Sequence, residues 1–272
     1  VLYLLYNVKV VLRDLFNRTF LEILFSIFGY LLNSIPDLKK VAIVGGELAG
    51  LVASIELAKK GVPCILFEKK KFPFHRVCGE YISNEAVPFL KSLNIYPSEY
   101  GPSRITAFTI SSVRGQSATV ELDLGGFGIS RYLFDNFLLE NARAAGVTVL
   151  ENAEVSAITR DGRQTFRIES SAGSHDVDLV IGAFGKRSKL DGFLERRFFR
   201  RRSPFVAVKY HLKSEHQPGV VALHNFEGGY CGISNVEDGK TNLCYLTNRA
   251  NLRRCGSIET LESVILSKNP LL

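Results

Sequence analysis

The stretch VAIVGGELAG, Val41 to Gly50, sets the reading of the chain. Four apolar residues run straight into a glycine pair, as a buried parallel strand does before a tight turn. Leu48 to Lys60 follows with helical spacing and is closed by Gly61, and VPCILFE, Val62 to Glu68, reads as a second buried strand. Strand, glycine turn, helix and strand make a βαβ unit of the kind that holds a dinucleotide. Gly45 permits the turn, Gly50 lets helix and strand approach, and the helix N-terminus faces the place of a phosphate. Glu68, about 20 residues on, stands where an acid holds a ribose hydroxyl. The pattern G-x-G-x-x-G is broken at its centre by Glu47. A carboxylate about 5 Å from a phosphate charge costs about 3 kcal/mol at an effective dielectric near 20, which is about a hundredfold in affinity. A βαβ unit that only packs is the plain alternative.

Outward from this unit the signals alternate. A loop with Pro73 leads to a short helix over 85–93. RITAFTI (104–110) and ATVELDL (118–124) read as strands, and Tyr132 to Ala145 as a helix ended by Gly146. VTVLENAEV leads into a hairpin with Asp161-Gly162 at its tip. DLVIGAFG (178–185) is another buried strand closed by glycine. The remainder is strand-rich, over 205–212, 220–226, 230–236 and 241–247, with a turn at Asp238-Gly239. The pattern predicts an α/β fold in which a Rossmann-like βαβ domain is intertwined with an antiparallel-sheet domain. The expected division is 39–100 with 125–202 for the first, and 101–124 with 203–272 for the second.

Residues 1–38 form a separate block, with Leu12, Leu15, Phe16, Phe20, Ile23, Leu24, Ile27, Phe28 and Leu31 at the spacing of an amphipathic helix. Its uncharged run, 23–35, is shorter than the roughly 20 apolar residues that span a bilayer. Residues 1–35 are therefore expected to lie on a membrane surface or pack on a partner. The five cysteines are scattered and no CxxC pair or metal-ligand spacing occurs, which points to a reducing, cytoplasmic setting without a structural zinc. The net charge of +7 is concentrated in runs, at 69–71 and around Phe198-Phe199. The runs suit a solvated face or an anionic membrane; nucleic acid is not expected, since no nucleic-acid motif accompanies them. The absence of methionine and the ending SKNPLL suggest a piece of a longer chain.

Four segments together resemble the flavoprotein monooxygenase and geranylgeranyl-reductase-like family, which binds FAD in the p-hydroxybenzoate hydroxylase fold. They are VAIVGGELAGLVASIELAKKGVPCILFEKK, FPFHRVCGEYIS, ISRYLFDNFLLENARAAGV and DLVIGAFGKRS. The resemblance implies that Gly45, Gly46, Glu47, Leu48, Ala49 and Gly50 lie at the pyrophosphate, and Glu68 and Lys69 at the adenosine ribose. It implies that Arg76 approaches the phosphates, Arg131 the flavin side, and Val155 the adenine. Gly182, Ala183, Phe184 and Gly185 would line the cofactor at the second nucleotide motif, and the strands from 203 onward the substrate pocket. Cys78 is read as a small residue near the flavin and not as catalytic.

Besides Glu47, Phe184 departs from the family, standing where an aspartate is usual, and the chain ends before the family's G-D segment. The resemblance implies an FAD-dependent oxidoreductase, reduced by NAD(P)H or another donor, that hydroxylates or reduces a small apolar substrate. An isoprenoid, fatty or aromatic compound would suit the 19 phenylalanines and 10 tyrosines. Two other readings stand beside it: an NAD(P)-dependent dehydrogenase, and a non-catalytic membrane-associated binding protein derived from the fold.

Overall fold

The computed structural model describes residues 40–160, 165–186, 188–200, 203–214 and 216–272. The amphipathic block at 1–38 and the hairpin tip Asp161-Gly162 lie outside the described residues.

The expected βαβ unit is formed by β1 (Val41–Val44), α1 (Leu48–Lys59) and β2 (Cys64–Phe67). These strands belong to a parallel sheet of four, in the order β10-β1-β2-β6, with β6 at Thr148–Leu150 and β10 at Leu179–Gly182. Alternation along β1 sends its side chains to two cores. Val41 and Ile43 pack with Leu51 and Ile55 of α1 and with Leu138 and Leu139 of a second helix, α3 (Arg131–Ala144). Ala42 and Val44 pack on the other face with Val155, Ile168, Val177 and Leu190. Both faces are covered, which is why β1 and β2 read as unbroken apolar runs.

The cover on that second face is a small antiparallel sheet, β7 (Val155–Arg160), β8 (Phe166–Ser170) and β9 (Gly173–Val177), with the short helix α4 (Lys189–Phe193). The sequence pattern anticipated β7 and β8 as a hairpin but not β9, GSHDV, whose only large apolar residue is the buried Val177.

The third sheet has seven strands in the order β11-β14-β13-β12-β4-β5-β3. They are β3 (Tyr81–Ser83), β4 (Ser103–Ser111), β5 (Ser117–Gly128), β11 (Phe205–Leu212), β12 (Gly219–Phe226), β13 (Gly229–Asn235) and β14 (Thr241–Asn248). All neighbours are antiparallel except β12 and β4. One face packs Phe226, Cys231 and Tyr245 against Leu261 and Ile265 of the C-terminal helical segment, which contains α5 (Arg249–Cys255) and α6 (Ile258–Val264). Residues 81–83 and 125–128 belong to this sheet, so the domain limits expected at 100 and 125 do not follow the sheet boundaries. A further helix, α2, is Val87–Ser92 after a single turn at Asn84–Ala86, in place of one helix over 85–93.

Helix α1 closes tightly on the turn after β1 at Gly50. A Cβ there would lie 1.9 Å from the carbonyl oxygen of Gly45 and 3.3 Å from Ala183 Cβ. Gly50→Ala must push α1 off β1, since the obstructing atom is backbone. Overpacking of this kind is expected to cost about 3 kcal/mol or more, read as a fall in the urea midpoint without a change in slope.

Candidate functional site

The glycine turn at the end of β1 is held from three sides. Gly45 donates its N–H to Phe67 O at 2.8 Å, and Ala183 N–H donates to Val44 O at 2.8 Å. Gly45 has φ +108, and a Cβ on it would stand 2.4 Å from Ala183 O. The second nucleotide segment, Gly182 to Gly185, is thereby brought against the first, although about 140 residues separate them. Gly185, at φ +69, has Glu47 Oε1 near its Cβ position, at 3.9 Å, and no nearer atom among the described residues.

Glu68 is buried at the end of β2. Its Oε2 accepts the Gly46 N–H at 2.8 Å and its Oε1 the Lys70 N–H at 3.0 Å. It thus fixes the turn as well as standing at the expected ribose position. A carboxylate offers about four lone-pair sites, so these two bonds leave capacity for a hydroxyl. Lys69 beside it is exposed.

Glu47 precedes the first turn of α1 in extended backbone and makes no cap hydrogen bond with its side chain. Instead its carboxylate swings outward, 45% exposed, and accepts from Arg76 Nη1 at 2.7 Å. The orphan N–H groups of a twelve-residue helix are therefore left without a side-chain cap and with the positive end of its dipole toward the turn. The repulsion expected from Glu47 is answered by Arg76, a partner the sequence pattern did not supply.

Arg76 is the hub of the site. Its Nε donates to Asp135 Oδ2 at 2.8 Å, its Nη2 to Gly46 O at 3.4 Å, and Glu68 Oε2 lies 3.7 Å from the guanidinium. The ring of Phe74 stacks below it at 4.1 Å. Asp135 is buried and receives Arg131 as well, at 2.6 and 2.9 Å. Burial opposes the charge of Arg131, but the hydrogen bond and charge of Asp135 outweigh it and hold the guanidinium pKa above its ordinary value. Arg131 is thus a buried structural cation at the start of α3, capped by Ser130, and reaches the site through Asp135. Asp135 was not singled out from sequence; its spacing of four from Arg131 on a helix was the available signal.

The other candidates divide. Leu48, half-buried, and Ala49, exposed, lie in the first turn of α1. Val155 is buried among the residues of the second core, where its side chain packs with Ile168 and Val177. Phe184 packs at the margin of that core with the guanidinium of Arg196 over its ring at 5.5 Å, and its edge closes the space at Gly182 to 2.9 Å. An aromatic therefore fills the place of the usual aspartate and carries a cation on its face.

Beyond Arg76 the chain passes through Cys78 and Gly79 to Glu80, which sequence reasoning missed. Glu80 is buried, has φ +56, and accepts the Arg131 N–H at 2.7 Å, His211 Nε2 at 2.6 Å and the ammonium of Lys209. His75 packs edge-on to His211 at 5.4 Å and stacks on Tyr132 at 4.6 Å. Its pKa is lowered, first by burial and then by His211 and Lys209. Next to this knot, Cys78 and Gly79 border a cavity of about 500 Å³ on the open face of the large sheet, walled by Phe108, Leu223, Tyr230 and Leu246.

The residues present fit FAD at the turn. Two glycines at positive φ, an uncapped helix N-terminus and a buried carboxylate at the next strand end converge there.

Comparison with known proteins agrees. The chain is 28% identical over 165 residues to the digeranylgeranylglycerophospholipid reductase of Methanocaldococcus jannaschii, covering 58% of this chain and 41% of that protein. It is 26% identical over 192 residues to a menaquinone reductase of Mycobacterium tuberculosis, covering 67% of this chain and 46% of that protein. The chain thus spans less than half the length of these relatives. Among solved structures, the flavin-dependent halogenase CmlS superposes with a TM-score of 0.72 at 23% identity, over 86% of this chain and 46% of that one, a likeness of fold. Residues 39–197, more than half of the chain, match the family described as FAD binding domain, and the chain belongs to that family.

Proposed function

We propose that this chain is the nucleotide-binding and substrate-facing part of an FAD-dependent oxidoreductase, a monooxygenase or double-bond reductase, acting on a small apolar molecule with NAD(P)H as electron donor. The observation that carries the substrate class is the cavity of about 500 Å³, whose wall is almost wholly apolar and which begins at Cys78-Gly79, next to Arg76. Bound FAD supplies the redox chemistry, transferring hydride or activating oxygen. This chain's residues bind and orient. The glycine turn and the N-terminus of α1 take the pyrophosphate, Arg76 cancels Glu47, and Phe108, Leu223, Tyr230 and Leu246 exclude water from the substrate. The names of two relatives, a digeranylgeranylglycerophospholipid reductase and a menaquinone reductase, carry apolar molecules and favour the same substrate class.

The test uses the purified chain, incubated with FAD, desalted and read by its absorption spectrum. Retention of flavin is expected, together with a spectral shift on titration with geranylgeraniol. Gly232 lines the cavity, and a Cβ there would sit at ordinary contact, 3.5 Å from Cys244 O and from Leu223 Cδ2. Gly232→Phe therefore fills the cavity without moving backbone. It should weaken the alcohol more than tenfold while flavin is kept. A chain that keeps flavin but shows no response to any apolar probe contradicts the substrate class.

A further inference from the structure

A second cavity of about 500 Å³ opens at the C-terminal end of β11, and the proposed substrate chemistry makes no use of it. Its wall includes His75, Tyr132, Leu133, Leu212, Lys213 and Lys240. Among the described residues, none lines both this cavity and the apolar one. The segment from His75 to Gly79 runs between them: His75 lines this cavity, and Val77, Cys78 and Gly79 line the other. Arg76, next to His75 in the chain, reaches the glycine turn through Gly46 O. The second cavity therefore adjoins the FAD site without using the walls proposed for the substrate.

The wall has an aromatic side and a cationic side. The His75 ring stacks on Tyr132 at 4.6 Å, with the planes 27° apart. Tyr132 is 40% exposed, and His75 is exposed as well. His75 is neutral at pH 7, because burial first and then His211 and Lys209 lower its pKa. The pair is thus a platform for a flat ring and adds no charge. The buried carboxylates nearby are already answered. Glu80 holds Lys209, His211 and the Arg131 N–H. Glu237 Oε2 accepts the Ser130 N–H at 2.7 Å, and Lys240 lies 3.8 Å from its other oxygen. Lys240 also meets Asp238 at 3.1 Å, but that carboxylate is 69% exposed and such a pair is weak. Lys213 is exposed and has no ion-pair partner among the described residues. A flat ring that carries a phosphate meets both sides of this wall, and the volume lies in the range of small-ligand sites.

We infer that this cavity takes the adenosine 2′-phosphate end of NADPH, with the adenine on the Tyr132–His75 pair and the phosphate between the ammonium groups of Lys213 and Lys240. The inference rests on the FAD-oxidoreductase reading, because a flavin reduced by a dinucleotide needs a place for its donor. The ring platform and the free ammonium on one wall select a nucleotide over a purely apolar ligand. The two lysines select the phosphate-bearing donor over NADH, since an ammonium is a strong partner for a phosphate. A donor held here leaves the apolar cavity free for substrate, because the two sets of walls are separate.

The experiment is calorimetric titration of the full chain with adenosine 2′,5′-bisphosphate, NADPH and NADH, each with and without saturating FAD. The bisphosphate and NADPH are expected to bind and to compete with each other, NADH to bind about tenfold more weakly, and FAD to displace none of them. Lys213→Gln with Lys240→Gln should weaken NADPH more than tenfold and erase its advantage over NADH. Tyr132→Ala should weaken NADPH and NADH alike, by about tenfold, and Tyr132→Phe should keep the affinity. Unchanged far-ultraviolet circular dichroism and melting exclude misfolding of these variants. Absence of binding, displacement by FAD, equal affinity for NADH, or binding that all three substitutions leave unchanged overturns the inference. FAD retention, read separately by absorption, tests the underlying reading. A chain that keeps FAD and does not bind the bisphosphate loses this site alone. A chain that binds the bisphosphate through Tyr132 and Lys213 but keeps no FAD retains the nucleotide site and loses the oxidoreductase reading.

Discussion

Arg76→Ala is expected to lower FAD affinity about a hundredfold, and Glu47→Gly placed in the same chain is expected to restore most of it. In the native site Arg76 Nη1 lies 2.7 Å from Glu47, and its Nε is bonded to Asp135 at 2.8 Å. Without the guanidinium, Glu47 becomes an unbalanced carboxylate beside the pyrophosphate. That repulsion amounts to about 3 kcal/mol at 5 Å and an effective dielectric near 20. Glu47→Gly alone should then change affinity by less than about fivefold, because the charge it removes is already paired and half-exposed. Stability behaves differently. Asp135 keeps Arg131, and Glu68 keeps the amides of Gly46 and Lys70. Arg76→Ala should still cost about 3 kcal/mol, the low end for breaking a buried pair. The second substitution should not recover this, since Glu47 lies at the surface. Flavin fluorescence titration and urea unfolding of the four chains separate the two effects. A hundredfold gain from Glu47→Gly alone would mean that Arg76 does not neutralise the carboxylate.

This pairing shows where sequence reasoning reached and where it stopped. The unit β1-α1-β2 was legible because its signals are local: an apolar run, glycines at fixed offsets and an acid at the next strand end. The approach of Ala183 to Gly45 was legible only as order in the chain, because contact across the sheet is set by the pairing of β1 with β10. The strand expected over 118–124 runs on to Gly128 in β5. In the fold Gly125 takes φ +65 at a register shift in the β4–β5 pairing, and a Cβ on Gly126 would meet Tyr81 at 2.4 Å. Glycine inside a strand here marks a bulge and a close packing partner, not an end. Glu47 was legible as a problem, but its solution was not, because Arg76 sits 29 residues away, beyond α1 and β2. Glu80 gave no signal at all: its partners Lys209 and His211 are 129 and 131 residues distant.

Glu80→Ala is expected to be the most damaging single change in the chain after those at the glycine turn. The Glu80 side chain is fully buried and the Lys209 ammonium is 6% exposed. Truncation leaves that ammonium in the interior without its counterion, removes the acceptor of His211 and orphans the Arg131 N–H. Breaking a buried pair in this way costs about 3–5 kcal/mol. Lys209→Met added to Glu80→Ala should recover part of the loss, because the stranded charge is then gone. Glu80 also holds φ +56, a region that non-glycine residues seldom occupy, and its three donors are what over-determine it. The consequence reaches the nucleotide turn. Glu80 fixes the first residue of α3 to β11, Arg131 holds Asp135, Asp135 holds Arg76, and Arg76 holds Glu47. A side chain under the large sheet is thereby connected, through four successive contacts, to the carboxylate at the mouth of the FAD turn. FAD affinity in Glu80→Ala, measured at a temperature where the chain is still folded, should fall by about tenfold. The fall should vanish in Glu80→Ala with Glu47→Gly, where the last member of the connection is absent. A stability loss with unchanged FAD affinity would mean that Glu80 only clamps the two sheets together and that Arg76 keeps its position without it.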